Sequence, residues 1–173
     1  MIADNEAVPV TKSTFKEVLA RDGVLVYRTR GVSMEPMLRQ GRDLVTIRAA
    51  KPGERFREND VVLYCREAGK YVLHRIVGVG PAGYVILGDN CVVFERDVPF
   101  EDVLGILVSF VRDGKMCSVD DPDYLAYVSK LRRGERCRIA RRRVAMRAKR
   151  TLKHAFPSLS RRWNQRKRGR GRS

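Results

Sequence analysis

The chain has 173 residues and a formal charge of +16, from 36 Lys and Arg against 20 Asp and Glu. That length favours one domain with an appendage, and 43% hydrophobic residues exclude a chain disordered throughout. The charge is not spread evenly. Residues 1–120 carry 17 basic and 17 acidic side chains, whereas residues 121–173 carry 19 and 3. This partition argues against a compact basic domain such as a ribosomal protein, whose charge would run through the fold.

In chain order, the first predicted element is a helix. Thr11 or Ser13 can cap it, Phe15, Val18 and Leu19 recur at helical spacing, and Gly23 ends it. Short apolar runs follow at Val24–Arg28, Leu44–Arg48, Val61–Cys65, Tyr71–Val79, Gly83–Leu87 and Val103–Val111. Turn signals separate them, among them Lys51-Pro52-Gly53, Glu58-Asn59-Asp60, Glu67-Ala68-Gly69 and Gly80-Pro81-Ala82-Gly83. The expectation is a mostly β, largely antiparallel domain over residues 24–120, preceded by the helical residues 1–23. No alternating helix pattern supports a Rossmann-type sheet.

After Asp120 the pattern changes. Asp121-Pro122-Asp123 starts a helix through Tyr124, Leu125, Tyr127, Val128 and Leu131, which Gly134 interrupts. Ala140, Val144, Ala148, Leu152, Ala155, Leu159 and Trp163 then recur at helical spacing among Arg and Lys. Pro157 is expected to break this helix, and residues 161–173 read as a disordered end of a basic tail spanning 121–173.

Two compartments are bounded by the same scan. The longest stretch without charge, Ile76–Gly88, has 13 residues and several glycines, short of the ~20 needed to span a bilayer. The acidic N-terminus lacks the pattern of a secretory signal. Cys65, Cys91, Cys117 and Cys137 form no C-x-x-C pair. They read as reduced thiols in a cytoplasmic or peripheral-membrane protein. No metal site and no cofactor is expected.

Three segments carry candidate chemistry. In Gly31-Val32-Ser33-Met34-Glu35-Pro36, a Ser follows a Gly at a strand end, where backbone amides can be exposed beside a hydroxyl. His74 is the only His of the neutral body, and strand alternation places it with Val72 and Ile76, opposite Leu73, Arg75 and Val77. It reads either as a core histidine or as a general base held on a strand. Asp89 follows the apolar run ending at Leu87 and reads alone as a turn residue.

Taken together and in this order, Ser33, His74 and Asp89, each at a strand end, resemble the signal peptidase I family, which shares a clan with LexA-type self-cleaving repressors. The matching motifs are G-x-S-M-x-P at Ser33, D-V-V-x-Y at 60–64, H-R-I-V-G at 74–78 and L-G-D-N at 87–90. The run V-P-F-E-D-V-L-G-I-L at 98–107 is similar to the family's closing strand, and the likeness covers residues 24–112. Many bacterial members use a Lys where this chain has His74. The combination here looks like the Ser–His subgroup of the endoplasmic reticulum and archaea.

The resemblance implies a serine endopeptidase that cleaves a precursor protein or peptide after small residues. His74 would take the proton of Ser33, whose oxygen attacks the carbonyl to form an acyl-enzyme. The Ser33 amide and a donor near Gly31 would form the oxyanion hole, each donor worth ~3 kcal/mol. Either Asp89 or Glu95 would orient His74. Lys70 shares the His74 face but is expected to be solvated at a turn. The alternatives are a catalytically idle β domain and a LexA-type regulator, for which the 32 residues before Ser33 leave no room for a DNA-binding domain.

The basic tail admits three readings: a solvated extension, a peripheral helix on an anionic membrane surface, and nucleic-acid contact through phosphate neutralisation. An apolar stripe ending in Phe156 and Trp163 favours membrane over nucleic acid. In the membrane reading, the tail takes the place of the family's membrane anchor.

Overall fold

A computed structural model describes residues 13–67 and 69–155. The chain divides into two compact units, Met1–Val128 and Ser129–Ser173. Helix α1 spans Phe15–Asp22, and its cap is Thr14, neither Thr11 nor Ser13. The Thr14 hydroxyl accepts from the Glu17 amide while Glu17 accepts from the Thr14 amide, so both exposed amides are satisfied at once. A Thr with a Glu three residues later was the available signal. Thr11 itself lies outside the described residues.

The first unit is mostly β. Strands β1 (Val24–Arg28), β2 (Leu44–Ala49), β3 (Val61–Glu67), β4 (Lys70–Val79), β5 (Tyr84–Leu87), β6 (Glu95–Val98), β7 (Val103–Arg112) and β8 (Lys115–Ser118) form one antiparallel sheet. The order is β1-β2-β7-β3-β4-β5-β6, with β8 beside β7. The six expected strands are all present. Sequence pattern missed β6 and β8, because Glu95-Arg96-Asp97-Val98 and Lys115-Met116-Cys117-Ser118 have no apolar alternation to detect. The run at 98–107 is not one strand. β6 ends at Val98 and a 3-10 turn spans Phe100–Asp102 before β7 begins.

Alternation sorts the side chains into two cores. Val61 and Leu63 of β3 join Val45, Ile47, Leu73, Leu107 and Phe110 in one cluster. Val62 and Tyr64 join Ile76, Tyr84, Ile86 and Val103 in the other. The middle of the sheet is therefore covered on both sides. In β4 the four consecutive residues Leu73, His74, Arg75 and Ile76 are all buried, so two polar side chains lie in apolar surroundings on opposite faces.

Helix α2 spans Pro122–Arg133, and its Tyr124 and Val128 pack into the first cluster. Gly134 separates it from α3, Glu135–Ala155. Within the second unit Ile139 is buried and Val144 is exposed. Leu159, Trp163, Phe156, Pro157 and residues 161–173 lie outside the described residues. Among the described residues no helix is long and apolar enough to cross a membrane.

Candidate active site

Ser33 does not lie at a strand end but in the loop joining β1 to β2, five residues beyond Arg28. The loop is tied at its base. The Thr29 amide donates to the Asp43 carbonyl at 3.2 Å and the Gly41 amide to the Thr29 carbonyl at 2.9 Å. The fully buried Asp43 carboxylate accepts the Arg39 amide at 2.9 Å and the Arg112 guanidinium at 3.3 Å. Met34, Met37 and Leu38 are buried in the first core, and the Glu35–Pro36 bond is cis. Gly31 turns the chain with φ +84°, which an L side chain resists. With both its base and its apolar residues anchored, the loop holds Ser33 half-buried.

A second loop, after β5, meets the first. The Asn90 amide donates to the Ser33 carbonyl at 2.7 Å, and the Asn90 side chain donates to the Val32 carbonyl at 2.8 Å. Gly88 in this loop has no room for a side chain. A Cβ there would stand 2.8 Å from each of three atoms: His74 Nε2, the Ser33 carbonyl oxygen and Cys91 Sγ. The imidazole edge and the Ser33 backbone thus converge on one small space, kept open by a glycine.

His74 occupies the interior of β4 rather than its end. Pairing of β3 with β4 sets it opposite Val62. Its Nδ1 lies 3.3 Å from Glu95 Oε1, without the alignment of a hydrogen bond. The first residue of β6, Glu95 pairs with Ile86 of β5, which pairs in turn with Ile76 of β4, two residues from His74. Arg66 grips both Glu95 oxygens, one of them through its Nε at 2.8 Å. Burial pushes the His74 pKa down, opposed by the Glu95 charge and aided by Arg66, and the net shift is downward. Burial also pushes the Glu95 carboxyl up, but Arg66 and the neighbouring Tyr64 hydroxyl outweigh it and hold that carboxyl below its ordinary value. Both shifts favour a neutral imidazole facing a carboxylate.

Asp89 goes elsewhere. Both of its oxygens accept from Arg75, at 2.9 and 2.8 Å, in an ion pair whose side chains are each 1% exposed. Tyr127 donates to the same carboxylate at 3.1 Å. The rest of the Arg75 guanidinium is also taken up, by the Asn59 carbonyl at 2.8 Å, the Tyr124 hydroxyl at 3.1 Å and Met37 Sδ at 3.0 Å. Asp89 therefore clamps β4 to the loop after β5 and to α2. Its effect on His74 is electrostatic and ranks below those of Glu95 and Arg66.

The structure brings Ser33, His74 and Glu95 together and turns Asp89 toward Arg75. Beside them opens a cavity of about 990 Å³, lined by Ser33, His74, Gly31 and Cys91 among others. Lys70, exposed at the start of β4, lines its wall. Sequence reasoning gave no site role to Arg66, Tyr64, Gly88 or Cys91, although Tyr64 and Gly88 stand within the motifs at 60–64 and 87–90. Strand pairing places Arg66 and Tyr64, and the loop after β5 places Gly88 and Cys91. Among the described residues, no three His, Cys, Asp or Glu are grouped to hold a metal ion. No protein-family model matches the chain, and no curated protein matches it either.

The two carboxylates should separate experimentally. Asp89→Asn leaves a buried guanidinium without its counter-charge and is expected to cost about 3–5 kcal/mol in urea unfolding. Glu95→Gln, beside a partly exposed Arg66, should cost less than about 1 kcal/mol. Gly88→Ala should lower stability by about 1–3 kcal/mol, since the new methyl group must displace backbone as well as side-chain atoms. Circular dichroism melts would check all three.

Proposed function

We propose that the protein is a serine endopeptidase of the signal-peptidase-like type, with Ser33 as nucleophile, His74 as general base and Glu95 as positioning residue. One observation carries the reading: His74 Nε2 and the Ser33 backbone converge beside Gly88 while the opposite nitrogen faces Glu95. A base must be unprotonated to accept a proton, and burial favours that state. A carboxylate behind the imidazole then stabilises the cation that forms, as in other hydrolytic triads.

The reaction follows from these positions. His74 Nε2 takes the Ser33 hydroxyl proton as Oγ bonds to the substrate carbonyl carbon, giving a tetrahedral oxyanion. The Ser33 amide and a donor near Gly31 stabilise that oxyanion. Collapse breaks the peptide C–N bond, and the imidazolium returns its proton to the leaving amine. Water, deprotonated by His74, then hydrolyses the Ser33 ester. The proposed substrate is a precursor protein or peptide with small residues before the cleaved bond, a preference drawn from the motif resemblance.

Ser33→Ala should reduce cleavage of such a peptide by at least about a thousandfold, and a fluorophosphonate probe should label wild type but not the variant. Equal cleavage by both forms would overturn the reading, as would an unlabelled wild type, which would favour an idle β domain. In wild type, kcat/KM should rise with pH as His74 loses its proton, with a midpoint below the ordinary ~6.5 of imidazole. Glu95→Gln removes the charge that raises the His74 pKa, so the midpoint should move lower still while kcat falls by about 10²–10⁴. A loss of kcat without that shift would point to a structural role for Glu95.

The basic tail supports a peripheral attachment to an anionic membrane surface. On α3 the exposed Val144 stands among Arg141, Arg142, Arg143 and Arg147, which suits an interfacial helix. Vesicles containing phosphatidylserine should float the full chain but not a form lacking residues 129–173, and phosphatidylcholine vesicles should float neither. Flotation independent of the anionic lipid would remove this part of the proposal.

A further inference from the structure

The cavity beside Ser33 has a distinctive lining. Its floor is aromatic: Phe15 of α1 lies 4.8 Å from the Tyr27 ring and 5.2 Å from the Tyr71 ring, centre to centre. Its charged lining residues are Arg28, Arg30, Arg66 and Lys70, and no Asp or Glu is among the described residues that line it. Glu95 offsets Arg66 from behind. Arg28 donates to the Gly41 carbonyl at 3.1 Å, an uncharged acceptor that does not neutralise it. Arg30 is exposed one residue before Gly31. The body as a whole has equal numbers of acidic and basic residues in positions 1–120, so the remainder of it, without these four cations, is acidic. The excess of cations is thus local to the groove that leads to Ser33.

A concave wall of one sign with apolar flooring concentrates field and attracts the opposite charge. It also penalises a cationic substrate, because bringing like charges together in a partly desolvated groove is unfavourable. We infer that the substrate of this site is an acidic peptide, with Asp or Glu close to the cleaved bond, held by the Arg28, Arg30 and Lys70 wall while apolar side chains rest on Phe15, Tyr27 and Tyr71. This inference rests on the peptidase reading for its chemistry. It rests on the groove alone for its charge preference.

Two peptides test it, identical around a central Ala-Ala and differing only in flanking Glu or Gln, each carrying a neutral dye. Binding is measured by anisotropy with the full-length Ser33→Ala protein, and cleavage is measured with wild type. The Glu peptide should bind about fivefold or more tighter, in line with a few exposed ion pairs, and the advantage should shrink as salt is added. The Arg30→Gln/Lys70→Gln variant should lose most of it. Equal binding of the two peptides, or a preference unchanged in that variant, overturns the inference. Cleavage of both peptides at equal kcat/KM rejects the acidic preference and leaves the peptidase standing. A Glu preference in binding with no cleavage by wild type rejects the peptidase and supports the charge selectivity of the groove.

Discussion

Strand β4 is covered on both faces, and that constraint governs the rest. Two adjacent polar side chains, His74 and Arg75, are carried into apolar surroundings by a strand that cannot avoid burying them. An unpaired guanidinium there would cost several kcal/mol, so Arg75 needs a carboxylate, whereas burial favours the neutral form of His74, which a carboxylate only orients. The two carboxylates come from different places. Asp89 follows β5 and closes on Arg75, whereas Glu95 opens β6 and faces His74.

The two pairs differ in what surrounds them, and that difference sets their uses. Arg75 has every donor direction occupied, by Asp89, Asn59, Tyr124 and Met37, inside the first core. Such a pair fixes geometry: it holds β4, the loop after β5 and α2 in one arrangement. His74 keeps one nitrogen toward Glu95 and the other toward the space beside Gly88. A side chain held from behind and open in front is suited to moving a proton. The anchoring of Asp43, Met34 and Leu38 gives the facing Ser33 loop comparable rigidity.

Charge is organised on the same scale. The +16 of the whole chain belongs to residues beyond 120, yet the neutral body is not uniform. It gathers Arg28, Arg30, Arg66 and Lys70 around one opening, with no Asp or Glu among the described residues that line it and Glu95 paired to Arg66 beside it. Net charge by segment hides this, because strands distant in sequence supply the cations: β1, the loop after it, β3 and β4.

The mostly β class, the positions of six strands, the change of pattern near residue 120 and the candidates Ser33 and His74 were legible in the amino-acid order alone. Each of these is local, written in alternation, turn residues or a short motif. Tertiary structure decided that Thr14 caps α1, that charged β6 exists at all, and that Glu95, not Asp89, stands behind His74. The reason is pairing. Whether a carboxylate meets an imidazole or a guanidinium depends on the register of β4, β5 and β6, and neighbouring residues of one strand point to opposite faces. A motif records which residues are present; the sheet decides which of them touch.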